Sequence, residues 1–328
     1  MKRLLVAVVL ISLTFIPSTT FADSLPSKKK YTYLKGNKTE KELSAKDWFE
    51  RGTTFHKSGN FDEAIKAYTK TIELDPKFVM AYNNRGEAYR GIGNYQKAIE
   101  DYNKAIELNP ELSIVFNNRG AAYRKLGNYQ EAIKNFDKAI KLNPKLALAY
   151  NNRAASYLSL ENYQLALIDA EKAIELDTKF AMAYTNRGAA YLNLGNYQKA
   201  LKEFNKALEI DPQLATAYNN RGLVHRRIGN LKQAIKDYDN AIELNPNLAM
   251  AYNNRGAAYH HIGKYEKAIK DYNKLIILEP DLATAYYNRG TAYHQLGNIK
   301  KAIEDYKKAA RMGFKPAQDT LSSEGIEW

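Results

Sequence analysis

The sequence predicts an all-α chain, a solenoid of eight helix-turn-helix units, and three observations carry that expectation. An Arg-Gly pair, once Arg-Ala, recurs every 34 residues: Arg51-Gly52, Arg85-Gly86, Arg119-Gly120, Arg153-Ala154, Arg187-Gly188, Arg221-Gly222, Arg255-Gly256 and Arg289-Gly290. The abundant Ala, Leu, Ile, Lys and Glu suit helices, and nine prolines fall mainly at the repeat spacing, where they punctuate them. Within each period the apolar residues keep helical spacing, and nothing reads as sheet. Self-similarity of this length stacks units on one continuous core, so one elongated domain is expected where 328 residues would otherwise suggest two.

The chain opens with Lys2 and Arg3, a largely apolar run over 4–16, the breaker Pro17, and Thr20-Phe21-Ala22 before Asp23. That order is the pattern of a secretory signal peptide over 1–22. A membrane anchor is the rival, but 13 residues rise only about 20 Å as a helix, short of the ~30 Å hydrocarbon core. The expectation is an exported bacterial protein, periplasmic or secreted, with no other span to hold it in a membrane. Residues 23–44 carry Lys28, Lys29, Lys30, Lys35, Lys38 and Lys41 against Asp23, Glu40 and Glu42, with no periodicity. They read as a flexible basic arm: either a solvated linker or an electrostatic tether to an anionic envelope surface.

The units then run 45–78, 79–112, 113–146, 147–180, 181–214, 215–248, 249–282 and 283–316. In the seventh, Tyr252, Gly256 and Tyr259 share one face of a first helix. Residues 262–265 turn the chain, Ala268, Ile269, Tyr272 and Ile276 stripe a second helix, and Pro280 ends it. The helices are expected to approach most closely where Gly256 meets Ala268. Residues 317–328 are expected to supply a capping helix and tail, with Leu321 covering the last open face.

These columns of Tyr, Gly, Tyr, Ala, Tyr and Pro in a 34-residue unit closely resemble the tetratricopeptide repeat, over about 45–316. The resemblance implies a right-handed α-solenoid whose first helices line a concave groove that binds partner peptides or proteins without catalysis. Fold alone does not name the partner. Departures are few: Ala154 in the Gly column, Glu161 in the turn-Gly column, Thr178 in the Pro column and His225 in the second Tyr column. Some members of the family grip a C-terminal carboxylate with groove lysines. The matching places here hold Phe49, Asn83, Asn117, Asn151 and Thr185, so a grip of that kind is not supported.

The arginine column departs from the family, which favours an apolar residue before the glycine. Six units carry an acid one place before the second-helix aromatic or its substitute: Asp101, Asp169, Glu203, Asp237, Asp271 and Asp305. Antiparallel pairing of the two helices predicts a repeated ion pair such as Arg255 with Asp271, the arginine stem lying on tyrosines. Asparagines also recur, at Asn83-Asn84, Asn117-Asn118, Asn151-Asn152, Asn219-Asn220 and Asn253-Asn254, with Asn186 and Asn288 single. Two roles suit them: reading the backbone of a bound peptide, or an amide ladder joining neighbouring units.

After the second tyrosine, or its substitute, the residue pair varies: Arg90-Gly91, Arg124-Lys125, Leu158-Ser159, Leu192-Asn193, Arg226-Arg227, His260-His261 and His294-Gln295. With the asparagines, these give the candidate partner-binding set: Asn84, Arg90, Asn118, Arg124, Asn152, Asn186, Asn220, Arg226, Arg227, Asn253, Asn254, His260, His261, Asn288 and His294. The basic members suit acidic side chains, a terminal carboxylate or an anionic glycan. No spacing gathers three metal ligands and there is no cysteine, so neither metal, cofactor nor disulfide is expected. No phosphate loop, zinc-protease helix or nucleophile elbow appears, so no enzyme is expected. The formal charge of +13 favours acidic partners. The function expected is an exported protein-interaction scaffold. The alternative is an envelope-surface binder of anionic lipid or cell-wall polymer, with nucleic acid disfavoured by the export signal.

Overall fold

A computed structural model of the chain describes residues 42–328. The segment expected to direct export, 1–22, and nearly all of the basic arm, 23–44, lie outside them.

Among the described residues every regular element is helical. The first four pairs are α1 Ala45–Lys57 with α2 Phe61–Leu74, α3 Val79–Gly91 with α4 Tyr95–Leu108, α5 Ser113–Lys125 with α6 Tyr129–Leu142, and α7 Ala147–Ser159 with α8 Tyr163–Leu176. The next four are α9 Ala181–Asn193 with α10 Tyr197–Ile210, α11 Ala215–Arg227 with α12 Leu231–Leu244, α13 Ala249–His261 with α14 Tyr265–Leu278, and α15 Ala283–Gln295 with α16 Ile299–Arg311. A last helix, α17 Lys315–Ser323, begins just inside the expected eighth repeat and buries Ala317 and Leu321 against Tyr306, Ala309 and Ala310. No described helix is long and apolar enough to cross a membrane.

Close contacts gather these helices into two compact units, the first ending at Asp177 and the second beginning at Thr178. The division falls where threonine stands in the proline column. Within the first unit, α1, α3, α5 and α7 touch in succession; within the second, α9, α11, α13 and α15 do. Each unit thus presents a row of first helices, and each second helix packs against the first helix of the pair that follows it in the same unit.

Local chemistry explains the repetition. Ser44 opens α1 with a capping box, exchanging hydrogen bonds with Asp47. Between the helices of a pair, a glycine such as Gly127 takes φ +77°, and the next residue, Asn128, accepts a hydrogen bond from the Glu131 amide to start α6. Glu161 holds the same left-handed conformation at φ 57°, so it keeps the turn but strains a residue with a Cβ. Tyr82, Tyr252 and Tyr286 each donate to the carbonyl of the proline six residues before, fixing the loop that enters the first helix. Tyr184 makes the same bond to the Thr178 carbonyl at 3.2 Å, so this contact survives the loss of proline.

The glycine column meets the alanine column as expected, Gly86 at the Ala98 carbonyl, Gly222 at that of Ala234 and Gly290 at that of Ala302, but a second-helix aromatic lies nearer still. A Cβ on Gly256 would lie 2.8 Å from the ring of Tyr272. Tyr68, Tyr102, Phe136, Phe204, Tyr238 and Tyr306 lie on Gly52, Gly86, Gly120, Gly188, Gly222 and Gly290 in the same way. The fourth repeat replaces both partners at once: Ala154 stands for the glycine and Ala170 for the aromatic, and both are fully buried. The extra methyl is tolerated because the ring that would meet it is gone.

This coupling sets a sign. Helix propensity alone would make Gly120→Ala stabilising by about 1 kcal/mol. The built Cβ, 2.7 Å from the Phe136 ring, makes it destabilising by ~1–3 kcal/mol instead. Urea unfolding decides between them, and a raised midpoint for Gly120→Ala would contradict the packing described.

Candidate functional site

The arginine column is the most regular polar feature of the molecule. Arg255 Nε and Nη2 donate to the two oxygens of Asp271 at 2.9 and 2.7 Å, a bidentate pair. Arg85 grips Asp101, Arg153 grips Asp169, Arg221 grips Asp237 and Arg289 grips Asp305 with the same geometry, while Arg187 places two nitrogens on one oxygen of Glu203. All six expected pairs are present. Arg119, whose repeat lacks the acid, donates to Asn135 at 2.7 Å. The guanidinium groups also lie over tyrosine rings of their own helices, Arg85 over Tyr82 and Arg255 over Tyr252, each 5.7 Å from the centroid.

A second grip was not anticipated from the sequence. The remaining nitrogen of each of several arginines reaches back to the preceding repeat: Arg85 to Thr69, Arg119 to Asn103, Arg153 to Asp137, Arg221 to Asn205, Arg255 to Asp239 and Arg289 to Asn273. Each acceptor lies 16 residues before its arginine, as each carboxylate lies 16 after. A polar residue just after the second-helix aromatic was the available signal. For Arg255, burial pulls against the charge, but Asp271 and Asp239 more than reverse it and hold the guanidinium above its ordinary value.

The asparagines form the amide ladder. Asn118 donates to Asn83 at 3.1 Å, Asn152 to Asn117 at 3.0 Å, Asn254 to Asn219 at 3.0 Å and Asn288 to Asn253 at 3.4 Å, each across to the preceding first helix. Within a pair, Asn83 donates to Asn84 and Asn219 to Asn220. Asn118, Asn152, Asn186 and Asn254 are buried, whereas Asn84, Asn220, Asn253 and Asn288 keep part of their surface. Of the two roles open to this column, joining neighbouring helices is the one its geometry performs.

The variable pairs lie in the last turns of the first helices. In the first unit Arg90 is half-buried, with Nη2 3.8 Å from Glu87, which also accepts from Asn118. Glu87 is pushed above the usual carboxylate range by burial, against the opposing charge of Arg90. Arg124 is buried, and burial with the added charge of Arg90 pulls it down to about 10, against Tyr129. Lys125 falls to about 8 through burial and then the charges of Arg124 and Arg90. Three cations thus share one partly dehydrated corner of α3 and α5. Leu158 completes the row as an apolar member.

In the second unit the row runs from buried Leu192 through half-buried Arg226 and His260 to exposed His294, with Arg227 and His261 exposed beside them. Burial, then His261, lowers the pKa of His260, whose ring sits edge-on to Tyr265 at 5.2 Å. His225 stands in the tyrosine column with Nε2 3.9 Å from the fully buried Asp237, and burial lowers its pKa as well. Among the described residues no group of His, Asp or Glu is placed to hold a metal ion.

Comparison with known proteins agrees with this architecture. A model described as "Tetratricopeptide repeat" matches residues 79–112, 113–146, 181–214, 215–248 and 283–312, half of the chain. Related models of the same repeat match 52–93, 147–180, 237–270 and 258–297, so that the matches run without a gap from 52 to 312. The chain belongs to the tetratricopeptide repeat family. No curated protein matches it.

Among solved structures, it is similar to a chain of the Cut9-Hcn1 hetero-tetramer of APC/C, with a TM-score of 0.70 at 20% identity over 84% of this chain. It spans 55% of that relative's length. It is also similar to a tetratricopeptide repeat protein from Parabacteroides merdae, with a TM-score of 0.61 at 21% identity, covering 79% of this chain and 98% of the other. These likenesses are of fold. The family is one of protein-interaction scaffolds that are generally non-catalytic.

The arginine grip carries a quantitative expectation. Asp271 and Arg255 are 6% and 19% exposed, so Asp271→Ala leaves a half-buried guanidinium short of its partner and costs ~3 kcal/mol. A double-mutant cycle with Arg255→Ala is expected to give a coupling energy of about 2 kcal/mol. The exposed Lys206–Glu209 pair, treated likewise, gives no resolvable coupling. Equal couplings for the two pairs would reduce the grip to a surface contact.

Proposed function

We propose that the chain is an exported, non-catalytic scaffold that binds partner proteins on the face presented by the first helices of each unit. The observation that carries this reading is a separation of roles. Tyrosine, glycine, alanine, arginine and most asparagine positions are taken up by packing within and between pairs. The last-turn positions of the first helices are not: Arg90, Leu158, Arg226, Arg227, His260, His261 and His294 change from repeat to repeat and retain solvent access.

A rigid row of helices offering apolar and basic positions suits a polypeptide with acidic segments. Preformed side chains lose little freedom on binding, and the net charge of +13 steers an acidic partner toward the protein. Export rests on the basic, apolar and small-residue order of 1–22. A second reading, attachment to anionic lipid or cell-wall polymer, is favoured by the lysines of 23–44 and concerns where the scaffold sits.

The test is capture of partners from envelope extract by the chain and by a variant carrying Arg226→Ala, Arg227→Ala, His260→Ala and His261→Ala. The expected result is a set of proteins that bind the parent, are lost from the variant, and bind more weakly as salt rises from low to physiological strength. Capture that neither the substitutions nor salt alters would reject the basic face as the binding surface.

A further inference from the structure

The last-turn arginines do not stand alone. The residue four places after each glycine lies one turn further along the same helix face, so an aromatic laid across the glycine points its far end at that residue. In two repeats whose aromatic carries a hydroxyl an arginine lies beside it, Tyr102 with Gly86 and Arg90 and Tyr238 with Gly222 and Arg226, whereas the Tyr68 hydroxyl donates to Thr53. Where that residue is leucine the hydroxyl is missing, as in Phe204 with Leu192 and Ala170 with Leu158. Phe136 with Arg124 is the exception.

These polar ends are buried with fewer partners than burial requires. Tyr102 and Tyr238 are both 0% exposed. The guanidinium groups of Arg90 and Arg226 lie within donating reach of the two hydroxyl oxygens, but among the described residues the hydroxyls find no acceptor for their own protons, and Arg90 Nε, Arg226 Nε and His260 Nε2 find no partner. Unpaired buried polar atoms are rare in folded proteins because each costs its full desolvation. The second and sixth repeats share this arrangement. The arginine Nε–H and tyrosine O–H groups are donors, and so is His260 Nε2 in the tautomer that carries its proton there. Burial also raises Tyr102 and pushes Tyr238 up to about 12, against the neighbouring arginine, so both hydroxyls keep their protons. The interaction of a basic residue with a helix C-terminus requires neither the hydroxyl nor an unbonded Nε.

We propose that Arg90 with Tyr102 in the first unit, and Arg226 with Tyr238 in the second, are oxyanion sites that take carboxylates of acidic side chains in a bound partner segment. This rests on the scaffold reading and names the chemistry that the face selects. Arg90 lies beside the Tyr102 hydroxyl with its own side chain 20% exposed. A carboxylate meeting the guanidinium from solvent accepts from both groups once the arginine side chain moves aside. In the first unit the charges of Arg124 and Lys125 lie close by, and Glu87, which accepts from Asn118, stands 3.8 Å from Arg90 Nη2, so a partner carboxylate competes with it for the guanidinium.

The experiment uses the purified protein and a fluorescent octaglutamate peptide, read by anisotropy, with Tyr102→Phe and Tyr238→Phe singly and together. A purely structural tyrosine predicts unchanged binding. The proposal predicts that each single substitution removes tight binding at one of the two sites and that the double variant binds about tenfold or more weakly, the loss of a hydrogen bond to a charged acceptor at each site. It also predicts that the thermal midpoint stays the same or rises, since an unsatisfied hydroxyl has been removed. Octaglutamate binding equal in parent and double variant overturns the assignment. So does inorganic phosphate binding alone with the same tyrosine dependence, which would make these sites for a free ion. Partners captured from envelope extract equally by parent and double variant overturn the sites while leaving the scaffold reading intact; a parent that captures nothing removes the scaffold reading itself.

Discussion

An arginine that holds in two directions is the interaction on which the rest of the protein depends. Two helices joined by a short turn bury one face, but such a pair cannot cover the other face alone. In five repeats, those of Arg85, Arg153, Arg221, Arg255 and Arg289, the arginine answers both needs. One edge of the guanidinium fixes the carboxylate of its own second helix, and the remaining nitrogen reaches the second helix of the preceding repeat, as Arg255 does with Asp271 and Asp239. The Asn254-to-Asn219 bond ties the first helices of the same two repeats together. Register between neighbours is therefore set by directed polar contacts as well as by apolar packing.

That arrangement consumes most of the repeating polar residues, which is why repetition here is a statement about packing. Little in the Tyr, Gly, Ala, Arg or Asn columns remains to meet a ligand. Recognition falls to positions where the repeat is not obliged to repeat, the last turns of the first helices. There the requirement of close packing is met by the glycine and its covering ring one turn earlier, and the chain is free to place Arg90, Leu158, Arg226 or His260.

Much of this was legible in the sequence because the period aligns equivalent residues. The helices, their turns and the Arg255–Asp271 pair follow from spacing alone. The backward reach to Asp239 was harder to see, since its acceptors alternate among Thr69, Asn103, Asp137 and Asp239, chemically unlike residues that share only an oxygen. Matching Gly256 with Ala268 on size found the helix approach but not the ring of Tyr272 that lies nearest the glycine. Reading columns one at a time hid this. Ala154 looks like an isolated substitution until Ala170 is read with it, and the hydroxyl of Tyr238 looks like routine variation with phenylalanine until Arg226 is set beside it. Both are pairwise signals, and a helix contact couples two columns that lie 16 residues apart or, for Arg226 and Tyr238, 12.

The central claim is a division of labour between two sets of arginines, one structural and one receptive. Side-chain Nε–H resonances report it directly when octaglutamate is titrated into ¹⁵N-labelled protein. The account predicts that the Arg90 and Arg226 signals shift with the peptide while those of Arg85, Arg153, Arg221, Arg255 and Arg289, held by their carboxylates, stay in place. Shifts spread equally over both sets, or confined to the carboxylate-bound arginines, would contradict it.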